Sequence, residues 1–210
     1  MIGNLNVAVV GVGGQGNVLL SRILGETALK VGIKVRISDT FGAAQRGAAV
    51  LSLVRFGSSY SPVIPLGKAD ALVALEPSEA LRQSRFLRPN GYALINTRRI
   101  LPVEVLTGKA AYPSTDKISG LLSALTSNLY MFDAAKLAEQ AGDSRTTNMV
   151  MLGALDGCDC LPFETEAIKE TIMDLVPEKM LDSNLKSFEL GRSYLQNHRK
   201  MEPDLGIALL

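Results

Sequence analysis

A change of pattern near the start of the chain limits its fold more than any other feature. Residues 6–11 (NVAVVG) are, after Asn6, an apolar, largely β-branched run ending in glycine, the signature of a strand buried on both faces of a parallel sheet. Gly13, Gly14 and Gly16 follow, and then Leu20, Ile23, Leu24, Ala28 and Val31 recur at helical spacing. Gly32 then offers the left-handed conformation that stops a helix. Residues 34–39 (KVRISD) predict a second strand, so the opening reads as a βαβ unit with a right-handed crossover.

The rest of the chain continues in that style. Strands are expected over 50–56 (VLSLVRF), 71–75 (ALVAL) and 92–96 (YALIN), the last preceded by a Pro89-Asn90-Gly91 turn, with a further one over 129–132. A short helix after Pro77 has Glu76 or Ser78 as its cap. Beyond Pro113 the pattern turns helical, over 133–140, 148–155, 164–175 and 183–194, with Asn148 and Asn184 suited to N-capping and a frayed tail after Asn197. The expectation is an α/β fold, doubly wound and Rossmann-like, with a mostly parallel sheet, C-terminal helices packed on it, and a single domain over residues 1–210.

Composition removes several classes of function. Lys and Arg number 22 against 21 Asp and Glu, so no net field attracts nucleic acid or an acidic membrane surface. The start lacks the pattern of a secretory signal, and no apolar run approaches the about 20 residues that span a bilayer, so a soluble cytoplasmic protein is expected. Cys158 and Cys160 are one residue apart, a poor disulfide pair and half the ligands of a four-cysteine centre, and read as reduced thiols. His198, the sole histidine, sits in a polar tail, and no nucleophile–histidine or two-carboxylate constellation marks a hydrolase.

The chemistry concentrates in Gly11-Val12-Gly13-Gly14-Gln15-Gly16, a G-x-G-x-x-G run between strand and helix. Glycines there permit a tight turn, leave no Cβ between backbone and phosphate, and let helix and strand approach. The helix start offers free N–H groups and a positive dipole end to an anion. No Lys-Ser/Thr pair follows Gly16, which excludes a triphosphate P-loop, and Asp39 stands where dinucleotide folds place a ribose-binding carboxylate. A nicotinamide or flavin dinucleotide site, a phosphate site for another ligand and a turn that merely permits packing all remain open on these residues alone.

Further segments carry a resemblance. The glycine loop, then Phe41-Gly42-Ala43-Ala44-Gln45-Arg46-Gly47, then Tyr60-Ser61-Pro62-Val63-Ile64-Pro65, Ala69-Asp70 and Leu75-Glu76-Pro77 resemble, in that order, the γ-type domain of pyruvate and other 2-oxoacid:ferredoxin oxidoreductases. Asn96-Thr97-Arg98, Ala138-Glu139 with Gly142, residues 148–154 and residues 184–191 look most like the indolepyruvate branch and its β subunit. Ala48 departs from the pair of glycines that usually follows the arginine. The resemblance implies oxidative decarboxylation of an aryl-2-oxoacid, such as indolepyruvate, to an acyl-CoA with reduction of ferredoxin. It implies that thiamine diphosphate and 4Fe–4S clusters lie on a large partner subunit, that this chain alone is inactive, and that coenzyme A is a candidate ligand. Neither nucleic acid nor membrane is an expected partner, and self-association is left open.

The resemblance places no catalytic residue and no metal on this chain. The expected ligand-facing residues, toward phosphate or coenzyme A or else toward the partner's active site, are Gly11, Gly13, Gly14, Gln15, Gly16, Gln45, Arg46 and Gly47, meeting at the carboxyl ends of the first two strands, and Glu76 at another strand end. Arg46 brings a planar donor fork for phosphate or carboxylate, against an ion pair with Asp39 or Glu76. Gln15 has the alternative of a water-exposed first helical residue, and Glu76 that of a helix cap. Two rivals stand beside this function: a free-standing NAD- or FAD-dependent oxidoreductase, and a regulatory nucleotide-binding module.

Overall fold

The computed structural model describes residues 4–41 and 49–201. Among them six strands, β1 (Leu5–Val12), β2 (Val35–Phe41), β3 (Ala49–Phe56), β4 (Ala69–Ala74), β5 (Leu87–Asn96) and β6 (Leu129–Phe132), form one sheet in the order β2-β3-β1-β4-β5-β6. The α-helices are α1 (Asn17–Lys30), α2 (Pro77–Gln83), α3 (Val103–Leu106), α4 (Thr115–Ser123), α5 (Ala134–Gln140), α6 (Thr147–Asp156), α7 (Thr165–Leu175) and α8 (Leu181–Met201).

The buried run in β1 explains the layering. Strand side chains alternate between faces, so Val7 and Val9 enter one core and Ala8 and Val10 the other, all four fully buried. The first core takes Leu20, Ile23 and Leu24 of α1 together with apolar residues of α5, α6, α7 and α8. The second, smaller core takes Ala80 of α2 and Ile118 and Leu122 of α4. The sheet is therefore covered on both sides, as doubly wound folds are, and the C-terminal helices pack on one of its faces.

Several expectations need correction. β3 lies between β1 and β2 and is antiparallel to both, so the first two strands of the βαβ unit are not neighbours. Only residues 42–48 separate Phe41 from Ala49, and a parallel neighbour needs a crossover of about a dozen residues or more. Pro89-Asn90-Gly91 is not a turn before a strand but a bulge within β5: pairing passes from Ala69↔Leu87 to Ala71↔Tyr92, with Asn90 at φ 59°. α4 was not anticipated, although Ser114 accepts from the Lys117 N–H at 3.2 Å as its cap. At the other end, α8 runs past Asn197 to Met201, and His198 stacks on Tyr194 with ring centres 4.0 Å apart.

Neither asparagine is an N-cap. Asn184 lies inside α8 and donates to the Met180 carbonyl at 2.7 Å, while α6 is capped by Thr146, which leaves Asn148 on the helix's first turn and free for another task. Cys158 and Cys160 are free thiols just beyond α6, Cys158 buried.

Candidate functional site

The sheet's topology selects the site. Connections leave β1 toward β2 on one side and reach β4 on the other, so the sheet reverses between β1 and β4, and open α/β sheets bind ligands outside the carboxyl ends of strands at such a point. β1, β4, β5 and β6 are mutually parallel, which brings Val12, Leu75, Asn96 and Phe132 to one edge. The glycine loop opens there.

The loop closes as a turn, with the Gln15 N–H donating to the Val12 carbonyl at 3.2 Å and Gly14 at φ 99°. Gln15 is not helical. Its side chain spans the gap between strands: Oε1 accepts from the Val12 N–H at 2.7 Å and Nε2 donates to the Leu75 carbonyl at 2.8 Å. Asn96 donates to the same carbonyl at 3.0 Å, and its Oδ1 accepts from the Arg98 and Ala134 N–H groups at 3.3 and 3.1 Å. Two side-chain amides thus tie together the ends of three strands and the start of α5. Asn17, 2% exposed, donates to the Val12 carbonyl at 3.3 Å, and its Oδ1 is buried with no protein partner.

Each glycine has its own reason. A Cβ on Gly11 would stand 2.7 Å from Asn17 Oδ1 and 2.8 Å from Gln15 Oε1, so the two amides fill the space a side chain would take. Gly13 shares the turn with Gly14. Gly16 caps α1 at φ 84° without a side-chain bond, and a Cβ there would meet Asn148 Nδ2 at 2.6 Å. Asn148 instead donates to the Gly16 carbonyl at 3.4 Å, fastening α6 onto the loop.

Beside the loop lies a cleft of about 320 Å³ lined by Gly14, Gln15, Asn96, Arg98, Ile100 and Arg145 among others. Arg98, half-exposed, pairs with Asp133 at 3.3 Å and Glu139 at 3.2 Å, and these carboxylates, Asp133 first, hold its guanidinium firmly charged. Arg145 pairs with Asp143, whose carboxyl it holds down to about 2. The cleft's lining joins apolar surface to the polar groups of Gln15, Asn96, Arg98 and Arg145, which suits one end of an anionic or hydrogen-bonding ligand.

Glu76 is fully buried just behind this edge. One carboxylate oxygen caps α2, accepting from the Ser78 N–H at 2.8 Å, the Ser78 hydroxyl at 2.5 Å and the Glu79 N–H at 3.0 Å. The other accepts from the Tyr112 hydroxyl and from the Ile100 N–H at 3.4 Å. Burial and the adjacent carboxylate push the Tyr112 phenol well above its ordinary range, and burial likewise raises the neighbouring Glu79 carboxyl against the pull of Arg82. Glu76 is thus engaged with the chain itself. Gln45, Arg46 and Gly47 lie outside the described residues; the ends that flank them, Phe41 and Ala49, stand at the loop's edge, where Val12 pairs with Ala49. Asn17, Asn96, Arg98 and Tyr112 were not singled out as site residues from sequence, since isolated amides, phenols and guanidinium groups carry no spacing signal.

Asp39 does not occupy a ribose-binding position. It is level with Ser52 and so with Val9, three residues short of the end of β1, and accepts from the Ser52 hydroxyl. With β3 interposed, β2 is two strand spacings from β1, about 10 Å.

The comparisons agree with this architecture. The family model described as pyruvate ferredoxin/flavodoxin oxidoreductase matches residues 6–194. The chain is 42% identical to the indolepyruvate oxidoreductase subunit IorB of Archaeoglobus fulgidus over 187 residues, 89% of this chain and 93% of that protein. Among solved structures, the γ subunit of a keto/oxoacid ferredoxin oxidoreductase from Geobacter sulfurreducens superposes with a TM-score of 0.67 at 24% identity, covering 92% of this chain and 99% of that one. The 2-oxoglutarate:ferredoxin oxidoreductase of Magnetococcus marinus, solved with 2-oxoglutarate, coenzyme A and succinyl-CoA bound, gives a TM-score of 0.70 at 19% identity over 94% of this chain but only 32% of its own. The glycine loop, the doubly wound sheet and a family match running almost from end to end converge on one conclusion: this chain belongs to the pyruvate ferredoxin/flavodoxin oxidoreductase family.

Proposed function

We infer that this chain is the small subunit of an indolepyruvate oxidoreductase, which converts an aryl-2-oxoacid and coenzyme A to an acyl-CoA and carbon dioxide while ferredoxin takes the electrons. The observation that carries this is the 42% identity to an indolepyruvate oxidoreductase subunit across nearly the whole of both chains. The donor set supports a division of labour. Two cysteines one residue apart, the first of them buried, do not complete a 4Fe–4S centre, and the sequence has no Gly-Asp-Gly with a downstream asparagine pair for thiamine diphosphate. Those groups belong on a larger partner, where thiamine diphosphate supplies the stabilisation of the carbanion equivalent.

The contribution of this chain is then shape and polarity. The bed is built by Gln15, Asn96 and the glycine loop, and the cleft beside it receives one end of coenzyme A. A free-standing dinucleotide enzyme is the weaker reading. Gln15 itself spans the crevice where a pyrophosphate would lie and uses up the Val12 N–H, and Asp39 is out of register for a ribose.

Affinity-tagged chain isolated anaerobically from its native host is expected to bring down a larger, brown, thiamine-containing subunit, and the pair is expected to reduce ferredoxin with indolepyruvate and coenzyme A. Redox turnover by this chain alone, or its micromolar binding of NADH or FAD, would overturn the inference.

A further inference from the structure

The segment 98–113, between β5 and α4, contributes to one wall of the cleft through its first residues and is fastened from behind. Arg98 and Ile100 line the cleft, whereas Tyr112, at the far end of the segment, does not touch it and packs with the smaller core. Both ends return to one atom, because Glu76 Oε1 accepts from the Ile100 N–H at 3.4 Å and from the Tyr112 hydroxyl. Arg99 braces the same corner, its guanidinium 5.3 Å from the Tyr112 ring centre and 2.6 Å from the Thr115 hydroxyl. Glu76 is held in turn by α2 and follows Leu75, whose carbonyl receives the Gln15 and Asn96 amides that floor the cleft. Floor and wall are thus fixed by adjacent residues of one chain segment. Between the two fastened ends, Leu101 and Leu106 are 41% and 68% exposed, so burial of these two side chains does little to hold the segment.

We propose that Tyr112 is a positioning residue: through Glu76 it latches segment 98–113 so that Ile100 and Arg98 present a formed wall to the ligand in the cleft. This deepens the functional reading above and rests on it for the identity of that ligand, coenzyme A. The latch acts on binding and not on the reacting atoms. A hydroxyl bonded to a buried carboxylate is the stronger kind of hydrogen bond, and its loss leaves one carboxylate oxygen undersatisfied in a buried setting.

Tyr112→Phe keeps the ring and removes only the latch. In the full-length chain by itself, amide hydrogens of residues 98–113 are expected to exchange about tenfold faster, in line with the loss of one hydrogen bond to a charged group. In the complex reconstituted with the large subunit, KM for coenzyme A should rise about five- to tenfold with kcat within about twofold, the pattern of lost uniform binding. Ile100→Ala trims the wall but spares the latch, so it should raise that KM without faster exchange. Unchanged exchange in the phenylalanine variant, or faster exchange with an unchanged KM, overturns the proposal. A wild-type complex without indolepyruvate-dependent activity would sink the functional reading instead, and the exchange of the free chain would still decide whether the latch exists.

Discussion

Two regions of this molecule depend on glycine for opposite reasons. Where α6 crosses α8, Gly153 and Gly191 face the other helix's backbone: a Cβ on Gly153 would overlap the Phe188 carbonyl oxygen, and one on Gly191 the Val150 carbonyl oxygen. Flanking contacts lock the crossing, with Arg192 on Asp156 at 2.8 Å and the Thr146 and Ser187 hydroxyls 2.5 Å apart. In the loop after β1, by contrast, Gly14 at φ 99° has nothing within 4 Å of where a Cβ would stand. The seam needs glycine for space, since two helix backbones touch there; Gly14 is needed for conformation. Gly16 needs both, with φ 84° and Asn148 against it. Sequence motif searches attend to the loop, yet the seam should be the less forgiving of the two.

Substitutions break or sharpen that contrast in descending order. Gly191→Ala should cost about 4 kcal/mol or more, because backbone cannot yield as a side-chain tip can, and urea unfolding or loss of soluble protein would register it. A cost under about 1 kcal/mol would show that the helices slide apart freely. Gly16→Ala should cost about 2–3 kcal/mol, from strain at positive φ and from Asn148. Adding Asn148→Ala should recover the crowding part but not the strain, so a double-mutant cycle separates the two. Gln15→Ala should cost about 1–2 kcal/mol by freeing the Val12 N–H, while the Leu75 carbonyl keeps its bond from Asn96. Gly14→Ala comes last in stability, at about 1 kcal/mol, but its methyl group would project into the cleft. Its effect on KM for coenzyme A in the assembled complex should therefore exceed its effect on melting, and equal small effects on both would mean that the loop serves packing alone.

Much of the fold was legible because it rests on local pattern. The buried run at 6–11, the helical spacing after Gly16 and the strands over 50–56, 71–75 and 129–132 all stand where periodicity and β-branching place them. The failures are non-local. The seven residues between Phe41 and Ala49 were few enough to imply an antiparallel return, but which strand the returning chain would pair with was not written in its own residues. The Pro89-Asn90-Gly91 signal was sound as local chemistry, with Asn90 at positive φ, yet the sheet continues through it as a bulge.

The candidate site divides in the same way. Sequence alone determined that a glycine loop would follow a buried strand and precede a helix, because this depends on residue type and on neighbours along the chain. Tertiary structure decided what the loop faces. Gln15 turned inward to join β1 to β4, Asn148 arrived from 132 residues away to close on Gly16, and Glu76 gathered both ends of the cleft wall. A hydrogen bond is satisfied by whichever partner the packing of two cores delivers, and no periodicity along the chain encodes that partner.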